Sequence, residues 1–138
     1  MDPFQAYDTA LALARSSHDL ASFPWFRRAL AGAPDQYWEV HHDYATARYN
    51  AAFRVRRRHG LEVPETRSAW ERAACMRTAL EEFAAGESLC REPADLAALR
   101  DRRARVLHVW GLRWDALAEL RRARLADPSD RAMAMAAD

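Results

Sequence analysis

The sequence has no lysine and no isoleucine, and it has only two cysteines and four glycines among its 138 residues. Because isoleucine is absent and Ala, Leu, Arg and Glu are abundant, the composition favours helices over strands. Half of the residues are apolar, which excludes a chain that is disordered by composition. The use of Arg in place of Lys is typical of a GC-rich, bacterial-type genome. The sequence therefore predicts an all-α protein.

Long uncharged apolar runs and a basic N-terminal segment are also missing. Without them the sequence predicts neither a membrane span nor a signal peptide. Cys75 and Cys90 form no Cys-x-x-Cys pair, and we interpret both as reduced thiols of a cytoplasmic protein. The formal net charge is only +1, so the molecule as a whole does not attract nucleic acid, and only a local patch could do so.

The prolines and glycines divide the chain into helices. A proline suits the first turn of a helix, where its missing N–H costs nothing, and a glycine suits the residue after a helix. Gly60 and Gly86 are accordingly interpreted as helix ends. No linker separates the elements, so residues 1–138 are predicted to form a single all-helical domain of about six or seven helices. The predicted helices span residues 3–18, 23–31, 35–59, 65–86, 93–110, 113–126 and 129–136.

The helix predicted over 35–59 has apolar residues on two faces, which is typical of a central helix. Val40 and Tyr44 lie on one face, and Ala45 and Ala52 lie on the other. We therefore expect this helix to be the hub of the fold.

The stretch 111–130 has the spacing of a helix against which a neighbour packs closely. It begins with a glycine, Ala116 and Ala123 lie seven residues apart on one helix face with Leu120 between them, and Pro128 follows. This stretch resembles the second half of a tetratricopeptide repeat. The glycine matches the turn of the repeat, the two alanines match its small residues, and the leucine takes the place of its large core residue.

The segment before this stretch matches the repeat through Ala104 and Leu107, although Arg100 and Arg103 stand where large apolar residues are usual. The resemblance implies antiparallel helix-turn-helix pairs in a right-handed stack, and a scaffold that binds another protein rather than an enzyme. From the residues alone, an irregular antiparallel helical bundle is the alternative.

No sequence pattern typical of catalysis occurs, since the chain lacks a Gly-rich phosphate loop, a Gly-x-Ser-x-Gly elbow and a His-Glu-x-x-His helix. We therefore predict a non-catalytic protein–protein interaction module without cofactor or metal. Its groove would be lined by aromatic anchors and by arginines that pair with an acidic peptide or partner protein. A homodimer through apolar helix faces is also left open. The predicted partner-binding residues are Tyr44, Arg48, Trp70, Arg100, Arg103 and Trp110.

One alternative function uses the basic patch formed by Arg54, Arg56, Arg57 and Arg58. Such a patch could hold nucleic acid through its phosphates, although this is the less favoured partner. The sequence contains no recognisable recognition helix with its turn, so it does not predict sequence-specific DNA reading.

Another alternative is a helical bundle that binds a metal or a small ligand through Glu39, His41 and His42. Glutamate and histidine are metal-ligand types, but the two histidines are adjacent and point about 100° apart on a helix. The competing interpretation is that one histidine is hydrogen-bonded in the core and the other faces water.

Overall fold

The computed structural model describes residues 2–33, 37–54, 56–58, 61–111, 118, 120–123 and 125. The fold class is all-α, as predicted, and the described residues include one small two-stranded ribbon between the third and fourth helices. The helices are α1 (Pro3–Arg15), α2 (Asp19–Gly32), α3 (Trp38–Phe53), α4 (Ala69–Leu89) and α5 (Pro93–Val109), and the strands are β1 (Arg56–Arg58) and β2 (Leu61–Val63).

Two helices begin at prolines, where the sequence predicts. Pro3 opens α1, and Asp2 and Gln5 form a capping box in front of it. The Asp2 carboxylate accepts a hydrogen bond from the Gln5 N–H at 2.9 Å, and the Gln5 side chain accepts one from the Asp2 N–H at 3.1 Å. Pro93 opens α5 in the same way. Each proline fixes a helical φ at a position that needs no N–H donor.

The second helix begins at Asp19, four residues earlier than predicted, and contains Pro24 inside it rather than at its first turn. The N-terminal turn is closed by the Ser22 hydroxyl, which donates to the Asp19 carbonyl at 2.6 Å. Both of these polar residues are fully buried. This hydrogen bond allows the helix to start before Pro24, which the sequence places in the first turn of the helix.

The prediction that the third helix continues to residue 59 is wrong, because α3 ends at Phe53. The following residues form β1, which pairs antiparallel with β2 so that Arg56 lies opposite Val63 and Arg58 lies opposite Leu61. This pairing satisfies backbone groups that a longer helix would have used internally.

The fourth helix begins at Ala69, later than predicted, and it continues through Gly86 instead of ending there. A Cβ added at Gly86 would lie 3.3 Å from the Trp38 carbonyl oxygen and 3.3 Å from the His41 Cβ. The glycine therefore marks the close approach of α4 to α3. Before the helix, the N–H and hydroxyl of Thr66 both donate to the Ala51 carbonyl, at 3.1 and 3.0 Å.

The core draws buried residues from each of the helices α1 to α5, and α3 is its hub as expected. Both faces of α3 are buried, Val40 and Tyr44 on one and Ala45 and Ala52 on the other. Helices that are neighbours in sequence make the main packing contacts, α1 with α2, α2 with α3, α3 with α4 and α4 with α5. The right-handed repeat arrangement stays a prediction.

The helix predicted over 113–126 is described in part. Residues 118, 120–123 and 125 are helical, and Leu120 packs against the buried pair Ala104 and Leu107. The other residues beyond Gly111, including the helix predicted over 129–136, lie outside the described residues.

Candidate functional site

A groove of about 120 Å³ lies between α3 and α5, above the side chain of Phe83 from α4. Its walls are formed by polar and charged side chains of two helices, at spacings of three and four residues that place each set on one helix face. The ring of Phe83 is 2% exposed and anchors the floor in the core. The groove is lined by Thr46, Tyr49, Asn50, Phe83, Arg102, Arg105 and Val106.

The two arginines give the groove its charge. Arg105 places its Nε 3.7 Å from Oδ2 of Asp101, one helical turn earlier. Asp101 is 5% exposed, and its carboxylate has no hydrogen bond within the described part of the chain. Arg102 has no ion pair to any described residue. One guanidinium of the groove is thus held by a buried carboxylate, and the other is available for an anionic group.

The predicted partner-binding residues Arg100 and Arg103 do not line this groove, because both side chains turn to Glu87 on α4. The Arg100 Nε lies 2.8 Å from Glu87 Oε1, and the Arg103 Nη1 lies 3.7 Å from Glu87 Oε2. Arg100 also donates through Nη1 to the carbonyl of Arg122 at 3.2 Å. These two arginines therefore hold α5 to α4 and to the segment that follows α5.

Tyr44, a predicted partner-binding residue, lies in the core and does not line the groove. It is 3% exposed, and its hydroxyl accepts hydrogen bonds from Arg48 Nη2 at 2.7 Å and from Arg27 Nε at 3.1 Å. The Arg48 guanidinium also lies 4.0 Å above the ring of Phe23. Arg48, which is also a predicted partner-binding residue, is half-buried, and its contact with Phe23 holds α3 against α2.

The two predicted tryptophans are exposed and lie outside the groove. Trp70 is 81% exposed in the first turn of α4, and Trp110 is 40% exposed directly after α5. They are accessible to a partner, but nothing else in the described residues connects them with the groove.

The predicted basic patch is not the end of a helix. Arg54 is the exposed residue that caps α3, and Arg56, Arg57 and Arg58 make up β1. The three strand arginines therefore lie beyond the end of α3 and not on the helix predicted over 35–59. Nucleic-acid binding by the patch stays a prediction.

The histidines of α3 have separate carboxylate partners. His41 Nδ1 lies 2.6 Å from Glu82 Oε2, and His42 Nδ1 lies 2.9 Å from Asp43 Oδ1. Glu39 is exposed, and the carboxylates described for the two histidine rings are those of Glu82 and Asp43 rather than that of Glu39. Among the described residues, no group of three His, Cys, Asp or Glu side chains is placed to hold a metal ion.

The residues that sequence reasoning missed are those of the groove itself. The sequence has arginines at 100, 102, 103 and 105, which are distributed around the axis of α5. Their positions in the sequence do not indicate which two line the groove. The position of Glu87 decides this, because it draws Arg100 and Arg103 to one side of the helix. Arg102 and Arg105 then lie on the side that faces α3.

Comparisons with known proteins do not name a family for this all-α chain. No family model matches the sequence, and neither the curated proteins nor the solved structures gave a match. In the part of the chain that the structure describes, every helix is too short or too polar to cross a membrane.

Proposed function

We propose that this protein is a non-catalytic binding module that holds an acidic segment of a partner protein in the groove between α3 and α5. The observation that carries the proposal is the position of Arg102, whose guanidinium lines the groove without an ion pair to any described residue. Guanidinium groups recognise carboxylates through paired, charge-assisted hydrogen bonds.

The opposite wall supplies what a peptide partner needs besides charge. Tyr49 presents an aromatic ring, and the Asn50 side-chain amide makes no hydrogen bond with another described residue. Amide groups of this kind can bond to the backbone of an extended segment, and tyrosine is common among the residues that dominate binding energy. The small volume of about 120 Å³ suits one or two side chains rather than a whole helix.

Other features support an interaction module of the tetratricopeptide type in a reducing compartment. The packing of Leu120 on Ala104 and Leu107 joins the same residues that carry the resemblance to this family. Cys75 and Cys90 are both free thiols, which suits the cytoplasm.

The test is a selection from a random peptide display library, followed by affinity measurements on the enriched peptides. We expect enrichment of Asp and Glu, and Arg102→Ala should weaken binding by roughly ten- to a hundredfold, because a hydrogen bond to a charged group contributes about 1.5–3 kcal/mol. Raising the salt concentration should weaken binding of the wild type more than that of the variant.

Arg77→Ala is the matched control, since Arg77 is exposed on α4 and does not line the groove. It should leave the affinity unchanged. Enriched peptides without acidic residues, or equal loss of affinity in the two variants, would contradict the proposal.

A further inference from the structure

A second pocket, of about 250 Å³, opens where α1, α2 and α3 meet. It shares no residue with the groove between α3 and α5. Among the described residues that line it, one is acidic and none is basic, and the others are aromatic or aliphatic. The lining residues are Pro3, Phe4, Tyr7, Ala29, Ala33, Tyr37, Glu39 and Val40.

Three aromatic rings form the walls of this pocket. Phe4 and Tyr7 lie one turn apart on α1, and Tyr37 precedes α3 on the opposite side. The rings of Phe4 and Tyr37 have centroids 5.4 Å apart at an interplanar angle of 71°. Rings at this distance and angle are in contact, with the edge of one directed at the face of the other, so the pair forms one packed corner of the pocket. Ring faces that remain open to a pocket attract organic cations.

The walls are fixed by tight local packing. A Cβ added at Gly32 would lie 2.3 Å from the Pro3 Cγ, so the proline ring rests directly on α2. The capping box of Asp2 and Gln5 holds the same turn of α1. The small side chain of Ala29 leaves the depth of the pocket open. Because the rings are held before any ligand arrives, binding needs little reordering.

Two carboxylates lie near the aromatic walls. Glu39 lines the pocket, and no described residue forms an ion pair with it. Behind the ring of Tyr7, the phenol donates a hydrogen bond to the carboxylate of Asp43. Burial and the neighbouring carboxylates raise the pKa of Tyr7, so its ring stays a neutral phenol. Arg15 also acts on this phenol, but it does not line the pocket.

We propose that this pocket binds a methylated ammonium cation, presented either by a small molecule such as choline or by a methylated lysine side chain. The methyl groups contact the aromatic walls, and the carboxylate of Glu39 balances the positive charge of the ammonium. An unmethylated ammonium would lose its hydration with too few oxygen acceptors to replace it. A pocket of this size is below the range typical for drug-sized ligands and suits a small head group.

Choline and its uncharged carbon isostere, in which a tert-butyl group replaces the trimethylammonium group, provide the first test on the wild-type protein. Titrations followed by backbone amide NMR should shift the signals of Phe4, Tyr7, Tyr37 and Val40. We expect choline to bind roughly three- to thirtyfold more tightly than the isostere, the range that a cation–π contribution gives. Equal affinities, or no shifts with choline or a methylated peptide, would overturn the proposal.

Variants separate the rings from the charge. Phe4→Leu should reduce the affinity for choline by roughly tenfold and leave that for the isostere nearly unchanged. Glu39→Gln should reduce only the binding of the cation. Phe4 is 55% exposed and Glu39 is also exposed, so neither change removes a core residue. Trp70→Leu is the matched control, because it removes an exposed aromatic ring outside the pocket. A loss as large in this control would contradict the assignment.

A peptide with one trimethyllysine, compared with the same peptide carrying unmodified lysine, distinguishes the two sources of the cation. Tighter binding of the methylated peptide than of choline would identify a modified protein as the source. Equal or weaker binding would identify a small molecule. Preference for the unmodified peptide would overturn the proposal.

Discussion

The hydroxyl of Tyr44 is the point where two guanidinium groups from α2 and α3 converge. Arg27 and Arg48 both donate to it, and the second also lies over the ring of Phe23. A sequence read by pattern cannot find this arrangement, because Arg27 is 17 positions from the tyrosine along the chain. The residue type alone predicts a binding role for Tyr44, whereas in the fold its hydroxyl oxygen accepts hydrogen bonds inside the protein.

Tyr44→Phe should lower the free energy of unfolding by about 1–3 kcal/mol, because the change leaves guanidinium donors without their acceptor. Urea denaturation of both proteins measures the difference. Tyr49→Phe is the matched control, since the Tyr49 hydroxyl makes no hydrogen bond with another described residue, and it should change stability by less than about 0.5 kcal/mol. Equal effects of the two changes would contradict the assigned role.

The thiol of Cys90 makes the stability of the protein depend on pH. Burial, together with Asp95, Glu39 and Glu87, raises the pKa of Cys90 to about 11. In the unfolded chain a thiol titrates near pH 8.5. Between these values the folded state holds a proton that the unfolded state has lost, so stability is complete below about pH 8.5 and falls as the pH rises towards 11.

Cys90→Ser should reduce this alkaline loss of stability, because serine does not titrate in that range. Thermal or urea unfolding at intervals between about pH 8 and 11 measures it. Part of the loss should remain, since the pKa values of Cys75 and Tyr7 are also raised, mainly by burial. Parallel pH profiles of variant and wild type would show that the Cys90 thiol does not contribute.

At the scale of elements, the contact between α3 and α4 depends on Gly86. Alanine is favoured over glycine inside a helix by about 1 kcal/mol. Here, however, the added methyl group would press on the backbone carbonyl of Trp38 at 3.3 Å, and overpacking costs about 1–3 kcal/mol. We therefore expect Gly86→Ala to destabilise the protein by about 1 kcal/mol.

The measurement is again the free energy of unfolding in urea. Glu81→Ala, at an exposed position of the same helix, serves as the control and should stay within about 0.5 kcal/mol of the wild type. A stabilised Gly86→Ala protein would mean that α3 can move away at little cost.

The elements also show which local signals the sequence carries. The starts of α1 and α5 at Pro3 and Pro93 were predicted, because a proline at a helix start acts through its own ring. The end of α3 at Phe53 could not be predicted, because the Arg and Val residues that follow are tolerated in helices. What ends the helix is the pairing of β1 with β2. A glycine is common at helix ends, and for that reason the sequence predicts one at Gly86. The sequence does not show that α3 lies opposite this glycine, which is why α4 continues through it.

At the scale of the whole molecule, the core connects helices α1 to α5 through one cluster that includes Phe26, Met76 and Leu99. A shared core favours a single cooperative transition. Urea unfolding followed by far-UV circular dichroism and by tryptophan fluorescence should therefore give coincident curves. Separate midpoints would show that part of the helices unfolds independently.

Leu99→Ala tests whether α5 shares this core with the other helices. The side chain is fully buried, and its truncation should cost about 2–5 kcal/mol and shift both curves together. Leu20→Ala, where 38% of the side chain is exposed, is the control and should have a much smaller effect. A shift of only one of the two signals would contradict a shared core.

The fold class could be predicted from composition, and the hub role of α3 from its two apolar faces. The residues that line the groove between α3 and α5 could not be predicted, because they depend on where Glu87 and Phe83 lie in space. The pocket at α1 was not predicted, since Phe4 and Tyr37 are far apart in sequence and meet only after α1 packs on α2.

The packing of each helix mainly against its neighbours in sequence has a consequence for the rate of folding. Chains whose contacts join nearby residues have little loop entropy to lose before those contacts form, and helical proteins of this kind fold in microseconds to milliseconds. The longest connection between successive helices from α1 to α5 is the one from α3 to α4, and it closes where Thr66 bonds back to Ala51, across the residues that include β1 and β2. We expect this step, rather than the pairing of α1 with α2, to set the speed limit in stopped-flow refolding.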